Sequence, residues 1–291
     1  MSTMGPGAEM TRARPVVVDG ASMACWESGP SDGEPVLLLH GYPANHHCWR
    51  HQIPALAREN RVIAPDLLGW GQSERPLHLR FDYDTEVARI GRLLDALDID
   101  AVNLFGHDYG GFLALGFTQT HPDRVRRLAI LNSRAQSSFV PRWYVAFGLL
   151  TLAGRTPVLR TLTARLPVAG AHRRVFRALV RDDLLDDQVL DSYVGWMDTP
   201  EGRRWLVQHF FSDYRVMVRP ELRRRLGDIR CPTAIVWGRK DTYLRSAIAV
   251  ELGKRIPHAE LTMLDDAGHW VMDQCPADVT AALERLLARE P

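Results

Sequence analysis

The chain has 291 residues, of which 46% are hydrophobic and 24% charged, enough to bury the core of one α/β domain carrying an insertion. Its 36 Lys and Arg stand against 35 Asp and Glu for a formal net charge of +1. No whole-chain field then recruits nucleic acid or an anionic membrane, and the expected partner is a small molecule. Cys25, Cys48, Cys231 and Cys275 have neither zinc-site spacing nor the density of a disulfide scaffold, which points to reduced thiols and a cytoplasmic location.

Residues 1–13 read as a flexible tail without the apolar stretch of about 7–15 residues that a secretion signal needs. No apolar run reaches transmembrane length. From residue 14 to 131, β-branched runs alternate with amphipathic segments, the pattern of strands and crossover helices in a mostly parallel sheet. Strands are expected at 14–18, 23–27, 35–39, 61–64, 102–106 and 128–131. The stretch Gly29-Pro30-Ser31-Asp32-Gly33 reads as a hairpin turn. Thr85 is the expected cap of a helix with Val87, Ile90, Leu93, Leu94 and Leu97 on one face, and residues 110–120 form another.

From 135 to 228 the pattern turns to arginine-rich helices interrupted by Pro157, Pro167 and Pro200, with no convincing strand. An inserted helical lid is the expectation, between core segments 14–134 and 229–291. Alternation resumes with strands at 233–236 and 260–264 and helices at 244–255 and 277–288. The fold class is α/β: an eight-stranded, mostly parallel sheet flanked by helices.

Chemistry concentrates where strands end. The strand 102–105 runs into Gly106-His107-Asp108-Tyr109-Gly110-Gly111 and then a helix, the context of a nucleophile elbow. A nucleophile there adopts a strained backbone, so its neighbours two before and two after must be small; Gly106 and Gly110 fill those places. The competing reading of Asp108 is a helix cap. Asp241 follows the strand at 233–236, where it would otherwise be an ordinary turn residue, and His269 follows the strand at 260–264. Nucleophile, acid and histidine in that order, each past a strand end, define a triad. His40-Gly41-Tyr42-Pro43 ends the strand at 35–39, and the N–H groups of Tyr42 and Tyr109 are the expected oxyanion-hole donors.

On these motifs, with Asp66 in Pro65-Asp66-Leu67-Leu68-Gly69-Trp70-Gly71-Gln72-Ser73 and the ending Asp266-Ala267-Gly268-His269, the chain resembles the α/β-hydrolase superfamily. Within it the resemblance is to the epoxide hydrolase and haloalkane dehalogenase branch, where aspartate replaces serine. A carboxylate suits attack on strained or activated saturated carbon and leaves an alkyl ester for water to hydrolyse. The resemblance implies that His269 activates that water and Asp241 orients the imidazole.

Tyr214, in Ser212-Asp213-Tyr214-Arg215, resembles a lid tyrosine that protonates the departing epoxide oxygen. Tyr109 and Tyr42 stand where haloalkane dehalogenases carry tryptophan and asparagine, and Tyr109 and Phe112 stand where fluoroacetate dehalogenases carry arginine. A first lid tyrosine has no clear counterpart, Trp143 or Tyr144 being the substitutes. The expected activity is therefore epoxide hydrolysis to a vicinal diol, with carbon–halide hydrolysis as the alternative. A non-hydrolytic ligand-binding or cyclase member of the fold is the alternative of another class.

His40, Trp143, Tyr144, Phe210 and Trp270 are the candidate substrate contacts, and the substrate is expected to be small, neutral and apolar. No cofactor, nucleic acid or membrane partner is implied, and a monomer or homodimer is expected. His46, His47 and His51 lack a carboxylate or cysteine to complete a metal site and read as surface histidines of a first helix. The lid arginines read as solvated helix faces.

Overall fold

Eight strands form one sheet in this computed structural model, which describes residues 13–135, 141–180, 184–212 and 219–291; the side chains of 141–147 and 179 lie outside that description. The strands are β1 (Ala13–Val18), β2 (Ala21–Ser28), β3 (Glu34–Leu39), β4 (Asn60–Pro65), β5 (Val102–His107), β6 (Val125–Leu131), β7 (Thr233–Gly238) and β8 (Ala259–Leu264). Their spatial order is β1-β2-β4-β3-β5-β6-β7-β8. The pairs β1–β2 and β2–β4 are antiparallel and the remaining pairs parallel. Because helices cover both faces, the central strands carry continuous apolar runs, and every residue of β5 and β7 is buried.

The chain leaves β3 for β4 on one side and later returns to β5 on the other. This reversal opens a crevice at the carboxyl ends of β3 and β5, where open α/β sheets place their ligands. Leu39 pairs with Gly106 across it, so the residues just past each strand are brought face to face.

Three local expectations are corrected. The hairpin turn is Asp19-Gly20, both at positive φ, whereas the stretch from Gly29 to Gly33 joins β2 to β3, which are not neighbours in the sheet. Gly29, at φ +90°, passes so close to the carbonyls of Asn60 and Ala57 that a side chain has no room. The helix expected to begin at Thr85 spans Tyr83–Ala96, and Asp82 caps it by accepting the Thr85 N–H at 3.2 Å; aspartate competes well for this position. His46 is not a surface residue: it is buried in the short 3-10 turn His46–Trp49.

Between β6 and β7 the described residues are helical. The α-helices are Pro141–Arg155, Pro157–Thr163, Val168–Val180, Asp187–Val194, Pro200–Trp205, which continues as a π-helical stretch, Leu206–Phe211, and Pro220–Arg224. Pro157 and Pro200 sit in first turns, where a missing N–H costs nothing.

Candidate active site

Asp108 stands at the turn between β5 and the helix Tyr109–Thr120, with φ 45° and ψ −112°. Such a conformation disfavours an L-residue and persists only where its surroundings impose it. A Cβ on Gly106 would meet the Gly110 carbonyl oxygen at 2.5 Å, and one on Gly110 would strike the Leu39 carbonyl. The small neighbours are therefore a steric requirement of the elbow. Ser133 Oγ, just past β6, donates to the Asp108 carbonyl at 2.5 Å and ties the turn to the next strand.

The carboxylate of Asp108 is 2% exposed. Its Oδ2 accepts the Tyr42 N–H at 3.2 Å. Its Oδ1 accepts no hydrogen bond among the described residues and lies 3.9 Å from Nε2 of His269. That separation exceeds a hydrogen bond, so a proton passing between the two needs an atom in between. Tyr109 opens its helix, at the end where amide N–H groups face away from the helix body.

The turn bearing Tyr42 is braced from beneath. His40 donates from Nδ1 to the Gly41 carbonyl at 2.9 Å and accepts the Leu67 N–H on Nε2 at 3.0 Å. Burial pushes its pKa down to about 4, so it stays neutral. With both nitrogens committed to backbone, His40, expected as a substrate contact, supports the turn that carries Tyr42. Asp66, fully buried past β4, accepts from the His46 N–H (2.9 Å), His46 Nδ1 (2.7 Å) and the Gln72 N–H (2.8 Å). Burial alone would raise its pKa, but these bonds and the neighbouring imidazoles hold it below the usual carboxylate range.

Asp241 and His269 follow β7 and β8, adjacent strands in which Gly238 pairs with Leu264. His269 Nδ1 lies 2.7 Å from Asp241 Oδ2. A carboxylate can only accept, so Nδ1 carries the proton and Nε2 faces Asp108 with a lone pair. Asp241 also accepts from Asn132 Nδ2 at 2.6 Å and from the Tyr243 and Leu244 N–H groups at 2.7 and 2.8 Å. Burial opposes its charge, but His269 and these donors outweigh burial and its pKa is lowered. For His269 burial likewise opposes the charge, and the carboxylates of Asp241 and Asp108 overcome it to raise its pKa, against the Arg134 charge.

Several contributors escaped sequence reasoning. Asn132, at φ 37° directly after β6, accepts the Gly238 N–H at 3.1 Å while donating to Asp241; its signal is an asparagine, tolerant of positive φ, at a strand end. His107 donates from Nε2 to the His269 carbonyl at 2.9 Å, and burial beside His269 lowers its pKa to about 3. Arg134, 1% exposed, lies over the Phe112 ring at 5.1 Å.

Of the residues expected in the lid, Phe210 reaches from the π-helical stretch to stack on Tyr42, centroids 4.5 Å apart, with an edge contact to Tyr109. Tyr42 also bonds through its hydroxyl to Nε2 of His172 in the helix Val168–Val180. His172 Nδ1 donates to the Val168 carbonyl, so Tyr42 is the donor of that bond. Trp270, expected as a substrate contact, is 1% exposed and packs on Phe176, Tyr193 and His107. Tyr214 lies outside the described residues, as do the side chains of Trp143 and Tyr144.

A buried carboxylate on a strained elbow, one backbone donor on its oxygen and an oriented neutral imidazole can together form and hydrolyse an ester. The chain belongs to the alpha/beta hydrolase fold family, whose model matches residues 34–276. It is 28% identical to cis-3-alkyl-4-alkyloxetan-2-one decarboxylase of Xanthomonas campestris over 98% of this chain and 99% of that one. It is 27% identical to 2-hydroxymuconate semialdehyde hydrolase of a Pseudomonas species (94% and 93%) and 26% identical to epoxide hydrolase 4 of Mus musculus (89% and 74%). Among solved structures, DBJA superposes with a TM-score of 0.79 at 23% identity, covering 95% of this chain and 98% of that one. Epoxide hydrolase CorEH superposes at 0.77 and 24%, with the same coverage.

Proposed function

We propose that this hydrolase works through an alkyl ester on Asp108, and that its substrate is a strained oxygen ring, an epoxide opened to a vicinal diol. The observation that carries the reading is the carboxylate itself, held where it has Tyr42 N–H on one oxygen and His269 3.9 Å from the other. A carboxylate is a weak nucleophile, and ring strain supplies the activation it lacks.

In the first half-reaction Oδ1 of Asp108 attacks a ring carbon, the carbon–oxygen bond breaks, and the departing oxygen takes a proton from Tyr214. In the second, Nε2 of His269 takes a proton from water as that water attacks the ester carbonyl. The oxyanion rests against the N–H groups of Tyr42 and Tyr109. The ester then collapses, His269 returns its proton to the leaving alcohol oxygen, the water proton left on the Asp108 carboxyl passes to the Tyr214 phenolate, and the diol departs. No cofactor enters these steps. Phe210, Tyr42 and Tyr109 offer apolar faces, which favours a small neutral substrate.

A second reading, a four-membered oxetan-2-one ring, is favoured by the decarboxylase relative that matches nearly the full length of both chains. It shares the first step, attack by Asp108 on a strained ring. Carbon–halide substrates fit less well, given Tyr42 and Tyr109, and the semialdehyde hydrolase relative puts a carbonyl substrate in the test panel.

A single turnover with enzyme in excess over styrene oxide, in water enriched in oxygen-18, tests the reading. The ester route leaves the first diol unlabelled and puts the label into Asp108. Label in the first diol means direct attack by water and ends the proposal.

A further inference from the structure

The near-zero net charge of the chain conceals a segregation. Residues 141–180 contain seven arginines and no lysine, aspartate or glutamate, leaving 29 basic against 35 acidic residues for the rest of the chain. The same stretch holds seven of the ten large hydrophobic side chains exposed among the described residues. Scattered exposed leucines need no explanation, but a cluster framed by one sign of charge does.

The cluster occupies the outer side of the lid. Helices Pro141–Arg155 and Pro157–Thr163 pack against each other and against the π-helical stretch that carries Phe210. Gly154 faces inward, against Ser212 and Val207. Leu149 (64% exposed) and Leu152 (57%) share a face three residues apart, as do Val158 (69%) and Leu162 (52%) four apart, with Leu166 (55%) in the turn beyond. Arg155, whose Nε donates to the Ser212 carbonyl at 3.2 Å, Arg160 and Arg165 are interleaved with them, and none forms an ion pair with a described carboxylate. Arg173 and Arg177 do pair, with Asp191, Asp198 and Asp187.

We propose that this lid face docks on a bilayer surface bearing anionic lipid headgroups. The leucines and valine enter the boundary between headgroups and acyl chains, and the arginines reach lipid phosphates with their stems lying along the apolar surface. Charge complementarity selects this occupant over a second copy of the chain: two such faces meeting would oppose arginines to arginines. No helix among the described residues is long and apolar enough to cross a membrane, so the lid lies on the surface. Docking sets the two helices that cover the Phe210 segment against the bilayer, the phase in which an apolar substrate concentrates. This inference does not depend on which ring the site opens.

Co-sedimentation of the full chain with phosphatidylcholine vesicles, with or without phosphatidylglycerol, tests it at low and high salt. The expected result is binding to the anionic vesicles that weakens in ~0.5 M salt as the Debye length shrinks, with much less binding to the neutral ones. Each arginine near such a surface contributes roughly five-fold to partitioning, so Arg155→Gln, Arg160→Gln and Arg165→Gln together lower it about 100-fold. Leu152→Ser with Leu162→Ser also weakens binding, and both variants keep the parent melting temperature. No binding of the parent protein to anionic vesicles overturns the proposal, and so does equal, salt-independent binding to both kinds. A dimer that the leucine variant dissociates, in a protein that ignores vesicles, assigns the face to self-association instead.

Discussion

Oδ1 of Asp108 and Nε2 of His269 face each other across 3.9 Å, with the imidazole proton committed to Asp241 on the far side. The gap separates two jobs. In the proposed mechanism the carboxylate attacks carbon without help from the base, and the base acts only when water reaches the ester. Removing either His269 or its orienting partner is thus expected to stop the cycle halfway.

Asp241→Asn changes the hydrogen bond that sets the tautomer, because the amide NH2 donates where the carboxylate accepts. Loss of the corresponding aspartate in a serine triad costs about 10⁴-fold in kcat, and a fall of roughly 10³–10⁴-fold in ester hydrolysis is expected here, with ester formation largely retained. Rapid-quench kinetics would resolve the two steps; equal slowing of both would deny Asp241 its orienting role.

The pH dependence follows from the raised pKa of His269. The base must be neutral, so ester hydrolysis declines as pH falls through the imidazole pKa, which the Asp241 carboxylate holds up against burial while Asp108, as an ester, carries no charge. Ester formation needs no neutral imidazole and continues, so the ester accumulates on the acid side. Protonation of His269 is favoured in the folded state, a contribution to stability that is complete below 6.5 and lost as pH rises through the raised value. Single-turnover rates between pH 5 and 9 check this: ester hydrolysis that keeps its full rate down to pH 5 contradicts the electrostatic account.

Asn132 links β6 and β7 by donating to Asp241 and accepting from Gly238. Asn132→Gly keeps the positive φ permissible and removes only the side-chain bonds. A stability loss of about 1–3 kcal/mol in urea unfolding is expected from the unsatisfied Gly238 N–H. Asp241, losing a donor, becomes more basic, and the acid limb moves to higher pH. An unchanged limb would make Asn132 a structural bridge alone.

What was legible in the sequence is local. Apolar runs locate the strands because β5 and β7 are buried along their whole length, and Gly106 and Gly110 mark the elbow because no other residue fits. The positions of Asp108, Asp241 and His269 follow from strand ends, since adjacent parallel strands bring successive loops together. What was hidden depends on distant partners. Nothing near His46 says that Asp66 receives it, or that His40 spends both nitrogens on backbone. The stretch from Gly29 to Gly33 looks like a hairpin until strand order shows β4 lying between β2 and β3. The lid arginines look solvated one by one, and only their interleaving with exposed leucines distinguishes that face.

The most direct test of the covalent route is intact-protein mass spectrometry of His269→Gln after incubation with styrene oxide, an oxetan-2-one or a short bromoalkane, followed by peptide mapping. A stable adduct on the peptide containing Asp108, absent from Asp108→Ala/His269→Gln, is the predicted result, and the reagent that gives it names the substrate class. Continued turnover by His269→Gln with no adduct from any substrate it consumes would contradict the ester mechanism.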